Sequence, residues 1–156
     1  MDANDNLIGV LNDLIEINND RVTGYEKAAE ETKSLDVDLQ AIFHKFANDS
    51  RKYAAELTEK VSTLGGEPTH GTTNSGKIYR VWMAVKSTFS GHDRQSALEN
   101  CEFGEDAAQK AYNSALASDA EMDSDTRQLI TTQQAALKKG HDTIKELRDA
   151  HKAVNS

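Results

Sequence analysis

Two short stretches of the sequence place a glutamate in the same local pattern. Residues 24–29 read GYEKAA and residues 103–108 read FGEDAA, so Glu26 and Glu105 are each followed by one charged residue and then two alanines. Each glutamate lies on or beside the apolar face of a predicted helix, and a buried carboxylate must be paired or ligated. Carboxylates combined with an imidazole suit iron or manganese. The repeated pattern therefore marks Glu26 and Glu105 as candidate metal ligands.

Four long helices would have to position these residues. Apolar residues recur every three or four positions over 5–32, 36–64 and 93–118, and again after the turn and helix cap at 119–125, which predicts one buried face in each segment. The predicted inward positions of the last helix are Ile130, Gln134, Leu137, His141, Ile144 and Leu147.

A polar connection divides the four helices into two pairs. Residues 65–77, GGEPTHGTTNSGK, contain two adjacent glycines and the lone proline, which end a helix. Apolar residues at 78–85 predict a short extra helix, and TFSGHD at 88–93 predicts a kink. The layout predicts an all-α, ferritin-like four-helix bundle with a mid-chain crossover and a short extra helix, although an ordinary up-and-down bundle has the same periodicity.

Composition limits the classes of function. The 156 residues suit a single domain spanning 1–156, with a tail at about 151–156. The net charge of −8 disfavours nucleic-acid binding, because no basic stripe is available to neutralise phosphates. We expect neither a signal peptide nor a membrane anchor, since the first residues are acidic and amphipathic and no apolar run approaches about 20 residues. The single cysteine, Cys101, is expected to be a buried, inert thiol, which fits a cytoplasmic location.

The candidate site resembles that of ferritin-like dimetal proteins. In that pattern two helices give one Glu each and the other two give a Glu-x-x-His pair. Glu26, Glu105 and His141 match it. The second helix has Ser50 and Tyr53 where the pattern has Glu and His, and the last has Lys138 in place of Glu.

The whole chain is also similar to a bacterial ferritin-like four-helix-bundle family of unknown function. The resemblance spans about residues 6–150 and is carried by LIEINNDRVTGYEKAAEE, by KIYRVWMAVKSTFSGHD and by LENCEFGEDAAQKAYNSAL. It implies the fold and an association with bacterial stress responses, but no established reaction.

Two interpretations of the site follow. In a metal-binding protein, Asp49, Tyr53 or water would complete the shell around Glu26, Glu105 and His141. In a rewired site, Lys138 replaces the metal charge and pairs with Glu26 or Glu105, while Tyr53 and His141 donate hydrogen bonds to the remaining carboxylate oxygens.

The sequence favours a non-enzymatic or weakly metal-binding protein. One alternative is an iron- or manganese-dependent oxidase or iron-handling protein. Another is an assembly or partner-binding bundle, with homo-oligomerisation through apolar residues near Trp82.

Overall fold

The computed structural model describes residues 3–32, 37–71 and 94–154. Within these ranges the chain forms four helices: α1 (Ala3–Thr32), α2 (Val37–Thr63), α3 (Arg94–Ala117) and α4 (Ser124–Val154). They confirm the predicted helices to within two residues at each predicted end. The short helix and kink predicted at 78–93, and Trp82 with them, lie outside the described residues. Four residues of the predicted tail, 151–154, belong instead to α4.

The helices pack as two antiparallel pairs. α1 lies along α2 and α3 lies along α4, while the pairs meet mainly where α1 contacts α3. Opposed contacts show the antiparallel directions: Gln40 donates a hydrogen bond to the carbonyl of Ala29 at one end of the first pair, and Asn12 reaches the carbonyl of Glu67 near the other. α2 and α4 touch at few positions. Within the described ranges, no helix is both long and apolar enough to cross a bilayer.

The helix ends follow from local chemistry. Gly65 adopts a φ of 85°, and the amides of Gly65 and Gly66 bond to the carbonyls of Ser62 and Val61, which is the Schellman arrangement that ends α2. Asp123 caps α4, because its carboxylate accepts a hydrogen bond of 2.7 Å from the amide of Thr126. Hydrogen bonding to Thr126 lowers the pKa of Asp123.

The described residues form two apolar clusters, one towards each end of the bundle. The first is built around aromatic residues of α1 and α2, and its members include Tyr25, Phe43, Phe46, Leu98 and Ile144. The second contains most of the aliphatic residues, among them Leu11, Leu14, Leu57, Ile130 and Leu137. The residues that separate the clusters are polar, and they set the chemistry of the bundle centre.

A hydrogen-bonded chain crosses the second cluster. Asn18 donates to the Tyr112 hydroxyl at 2.9 Å, Tyr112 donates to Gln133 at 2.7 Å, and Gln133 donates to the carbonyl of Tyr53 and to Glu56. Gln133 is 1% exposed, so the inward position predicted for Gln134 was wrong by one residue. Gln133 points inward because it closes this chain from α1 to α2.

Replacing Tyr112 by Phe should destabilise the protein by about 1 to 3 kcal/mol, because the buried amides of Asn18 and Gln133 would each lose a partner. Urea denaturation at pH 7 measures the change. Tyr53→Phe is the matched control, and we expect it to cost less because Tyr53 borders an open cleft. Equal effects of the two changes would contradict the role assigned to the chain.

Candidate functional site

A buried ion pair between α1 and α3 occupies the centre of the bundle. The guanidinium of Arg21 faces the carboxylate of Glu105 side-on, with Nε 2.5 Å from Oε1 and Nη2 3.0 Å from Oε2. The side chains are 3% and 1% exposed. This two-bond geometry is the strongest form of a carboxylate–guanidinium contact, so both charges are satisfied without water.

The second helix completes the coordination of Arg21. Its Nη1 donates to the hydroxyl of Ser50 at 2.8 Å and to the carbonyl of Phe46 at 3.3 Å. Four of the five N–H groups of the guanidinium are thereby bonded. The guanidinium carbon also lies 5.1 Å from the ring centre of Tyr25 and 5.3 Å from that of Phe46. Two aromatic faces therefore add cation–π attraction to the ion pair.

Burial and the charges of the pair shift the pKa values of Arg21, Tyr25 and Cys101. Burial lowers the pKa of Arg21, but the charge of Glu105, its hydrogen bonds to the guanidinium and the neighbouring tyrosines together outweigh burial, so the pKa is raised. Burial and the negative charge of Glu105 raise the pKa of Tyr25 and of the Cys101 thiol. Both neighbours are therefore neutral at physiological pH, and Cys101 is buried as predicted.

This centre does not fit a pair of metal ions. A dimetal site of the kind named above needs several carboxylates turned to a common space. Here both oxygens of Glu105 are bonded to a guanidinium, which would repel a cation, and Ser50 contributes a hydroxyl instead of a charge. The positive charge of Arg21 and the negative charge of Glu105 already balance each other.

Glu26 lies apart from the Arg21–Glu105 ion pair, on the flank of the helix pair formed by α1 and α2. Its carboxylate bonds to Arg51 at 3.0 Å, and its side chain is 36% exposed. In α1 the buried positions next to it are Tyr25, Ala28 and Ala29, so Glu26 lies beside the apolar face. The two matching sequence patterns therefore place their glutamates differently: Glu105 faces inward and Glu26 faces the surface.

The predicted pairing of Lys138 with Glu26 or Glu105 is wrong. Lys138 is 65% exposed and bonds to Asp142 four residues later, at 3.1 Å. The positive charge that balances Glu105 comes from Arg21 instead, because α1 reaches the bundle centre at that position. Ser50, by contrast, does face the centre. Tyr53 and His141 were predicted to donate hydrogen bonds to the carboxylate oxygens of Glu26 and Glu105. Among the described residues, no hydrogen bond of this kind is present.

His141 faces a different set of acids. Its Nε2 lies 2.6 Å from Asp106 of α3, and its Nδ1 lies 3.1 Å from Asp142. Glu102 is the third acid of the group, and one ligand atom each of Glu102, Asp106 and His141 lies within 4.8 Å of the others. In the part of the chain that the structure describes, Glu26, Glu105 and His141 form no such group. Metal binding by those three stays a prediction.

A cleft of about 670 Å³ opens between α2 and α4 above the ion pair. Its walls carry Tyr53 and Asp49 from α2, and Arg21 reaches its floor. Asp49 is bonded to Lys45 at 2.8 Å. Burial, followed by the nearby charge of Asp49, raises the pKa of Tyr53. Tyr53 and Asp49, which were predicted as supporting ligands, thus border the cleft. Their part in metal binding stays a prediction.

The sequence contained a signal for Arg21 that the helix assignment missed. Leu11, Leu14, Asn18, Arg21 and Tyr25 follow one another at spacings of three and four, and all five are buried. Val22 is the apolar residue next to Arg21, so a search for apolar positions selects Val22 and passes over the arginine, a residue type that is rarely buried without a partner. Only the position of Glu105 across the bundle identifies that partner.

Gly140 provides the space that the ion pair needs. A Cβ atom there would lie 3.0 Å from Nη2 of Arg21 and 3.3 Å from Oε2 of Glu105. Gly9 in α1 meets no heavy atom within 4 Å of such a Cβ. Gly9→Ala should therefore stabilise the protein by up to about 1 kcal/mol through helix propensity.

Gly140→Ala should destabilise the protein instead, because the guanidinium, which is held by hydrogen bonds to Glu105, Ser50 and Phe46, would have to shift by a few tenths of an ångström. Urea denaturation of the two alanine variants measures the difference, which we expect to exceed about 1 kcal/mol. A similar gain in both variants would show that the ion pair tolerates displacement.

Comparison with solved structures establishes the fold. A mutant of Dps1 from Mycobacterium smegmatis superposes with a TM-score of 0.73 at 13% sequence identity, over 94% of this chain and 97% of that one. The architecture is therefore that of a ferritin-like four-helix bundle, as the sequence predicted. No curated protein matches the chain.

Comparison with protein families gives a match over most of the chain. Residues 6–118, which include α1, α2 and α3 almost completely, match a domain of unknown function designated DUF2383. The match contains both members of the central ion pair, Arg21 and Glu105. The chain belongs to the DUF2383 family, whose function is unknown.

Proposed function

We propose that this protein is a non-enzymatic ferritin-like bundle in which the Arg21–Glu105 ion pair takes the place of a dimetal centre. The observation that carries the proposal is the two-bond contact between these side chains, each almost fully buried. A bound metal pair and this guanidinium cannot share the carboxylate of Glu105. A role in bacterial stress, which the family resemblance implied, would then depend on binding and not on oxidation.

The other buried reactive groups support a non-catalytic role. Cys101 is fully buried, and burial raises the pKa of its thiol, so little thiolate is available as a nucleophile. Burial likewise raises the pKa of Tyr112, whose hydroxyl is already bonded at both ends. The cleft between α2 and α4 is bordered by Arg21, but that guanidinium is committed to Glu105, Ser50 and Phe46. None of these groups is poised for acid–base or nucleophilic catalysis near pH 7.

The ion pair should behave as a single energetic unit. Arg21→Met leaves a buried carboxylate without its partner, and Glu105→Leu leaves a buried guanidinium, so each change should cost about 3 to 5 kcal/mol. Arg21→Met combined with Glu105→Leu should recover much of that loss, because apolar side chains can replace a buried pair. Urea denaturation of the four proteins gives the coupling energy. Additive losses would contradict a direct pair.

Lys138→Ala is the matched control for this cycle. Its ion pair with Asp142 is exposed, and such pairs contribute about 0 to 1 kcal/mol. A loss as large as that of Arg21→Met would restore the interpretation in which Lys138 supplies the central charge.

Metal content tests the proposal directly. The protein would be produced in medium supplemented with iron and manganese, dialysed in moderate salt and analysed for metal per chain. We expect that Glu105 binds no metal. The wild type and the variant combining Arg21→Met with Glu105→Leu should therefore contain the same amount of metal per chain. Acceleration of Fe(II) oxidation by oxygen should also be absent. Near-stoichiometric metal in the wild type that disappears in the double variant would overturn the proposal.

A further inference from the structure

A second group of ionisable side chains lies on the flank between α3 and α4. Glu102 and Asp106 are one helical turn apart on α3, and His141 faces them from α4. Each offers a ligand atom within 4.8 Å of the other two. Among the described residues, no other set of three histidine, cysteine or acidic side chains meets this distance.

The imidazole of His141 is held in a defined orientation. Asp142 lies 3.1 Å from Nδ1, so it can accept the Nδ1 proton and leave Nε2 directed at Asp106. A carboxylate on the far nitrogen of a ligating histidine is the usual arrangement around metals, because it fixes the tautomer and raises the basicity of the ligand. Lys138 steadies Asp142 through its other oxygen, at 3.1 Å.

The group is more enclosed than an ordinary surface ion pair. The side chains of His141 and Glu102 are 17% and 15% exposed, whereas Asp106 is 52% exposed. Two ligands are therefore held by packing and the third opens the group to solvent. Such an arrangement leaves room for water to complete a coordination shell.

We propose that Glu102, Asp106 and His141 bind one first-row divalent cation, of the manganese or ferrous iron class. Two carboxylates and one imidazole match the ligand preference of these ions, and water would fill the remaining positions. This site is separate from the bundle centre, since Glu105 on the same helix points to Arg21. The inference goes beyond the proposed function and does not depend on it.

Two ion pairs must break when the cation binds. Asp106 is bonded to His141, and Glu102 is bonded to Arg148. The cation replaces the proton on Nε2 of His141 and so keeps a positive charge beside Asp106. Arg148 also bonds to Asp149 at 2.8 Å, so it retains an acidic partner when Glu102 turns to the metal. Neither exchange strands a buried charge.

Manganese titration of the full chain tests the site. Free Mn²⁺ would be followed by electron paramagnetic resonance at about 0.15 M salt, where weak attraction to an acidic surface is largely screened, and in excess Mg²⁺. We expect one saturable Mn²⁺ per chain. His141→Gln should weaken binding by more than tenfold, and Asp142→Asn, which removes only the orienting carboxylate, by about tenfold.

Two acidic positions elsewhere serve as matched controls. Asp49→Asn and Glu26→Gln each remove one carboxylate that is paired with a basic side chain, and neither should change the affinity. Unfolding midpoints measured for each variant establish that the compared proteins are folded.

Three results would overturn the inference: no saturable binding by the wild type, unchanged affinity in His141→Gln, or loss of binding in Glu26→Gln. The last would point to the metal site predicted from Glu26, Glu105 and His141. Binding that depends on His141 but persists in the variant combining Arg21→Met with Glu105→Leu would confirm the flank site while leaving the proposed ion-paired centre intact.

Discussion

The contact between Arg21 and Glu105 constrains the whole bundle. Two opposite charges that are almost fully buried need each other, because either one alone would be strongly destabilising. Their fixed geometry sets the axial position of α1 relative to α3. The hydrogen bonds from Arg21 to Ser50 and Phe46 set the axial position of α2 relative to α1. On α4, Gly140 lies so close to the pair that a Cβ atom there would come within 3.0 Å of Arg21. One ion pair thus determines the register of all four helices.

The same contact determines which chemistry the interior can support. A guanidinium is a permanent cation with a planar array of donors, and it cannot give up or accept a proton near pH 7. The carboxylate it binds is correspondingly held as an acceptor. A bundle with this centre gains a unique register but loses the exchangeable ligands that metal or acid–base chemistry would need. Structural specificity and catalytic capacity are alternatives at this position.

Apolar periodicity predicted the fold but could not identify the partners of buried charges. The expectations that Cys101 is buried and that Glu105 lies on or beside the apolar face of its helix were correct, because a spacing of three or four residues fixes a helix face regardless of what lies opposite. Arg21 was missed because a buried arginine is recognisable only when its acid is known, and that acid lies 84 residues away. Lys138 was assigned that role because it occupied a family ligand position, yet its side chain points to solvent.

Two adjacent acidic residues of α3 explain why the bundle centre and the flank beside His141 differ in chemistry. Glu105 and Asp106 are adjacent, and one residue of an α-helix turns the side chain by about 100°. This rotation directs Glu105 to the dry interface with α1, where only a permanent partner charge makes burial tolerable, and directs Asp106 to the half-open flank beside His141. A cation entering the flank can be hydrated, whereas one entering the centre would have to displace a guanidinium. The proposed cation site therefore lies outside the bundle interior, on the flank between α3 and α4.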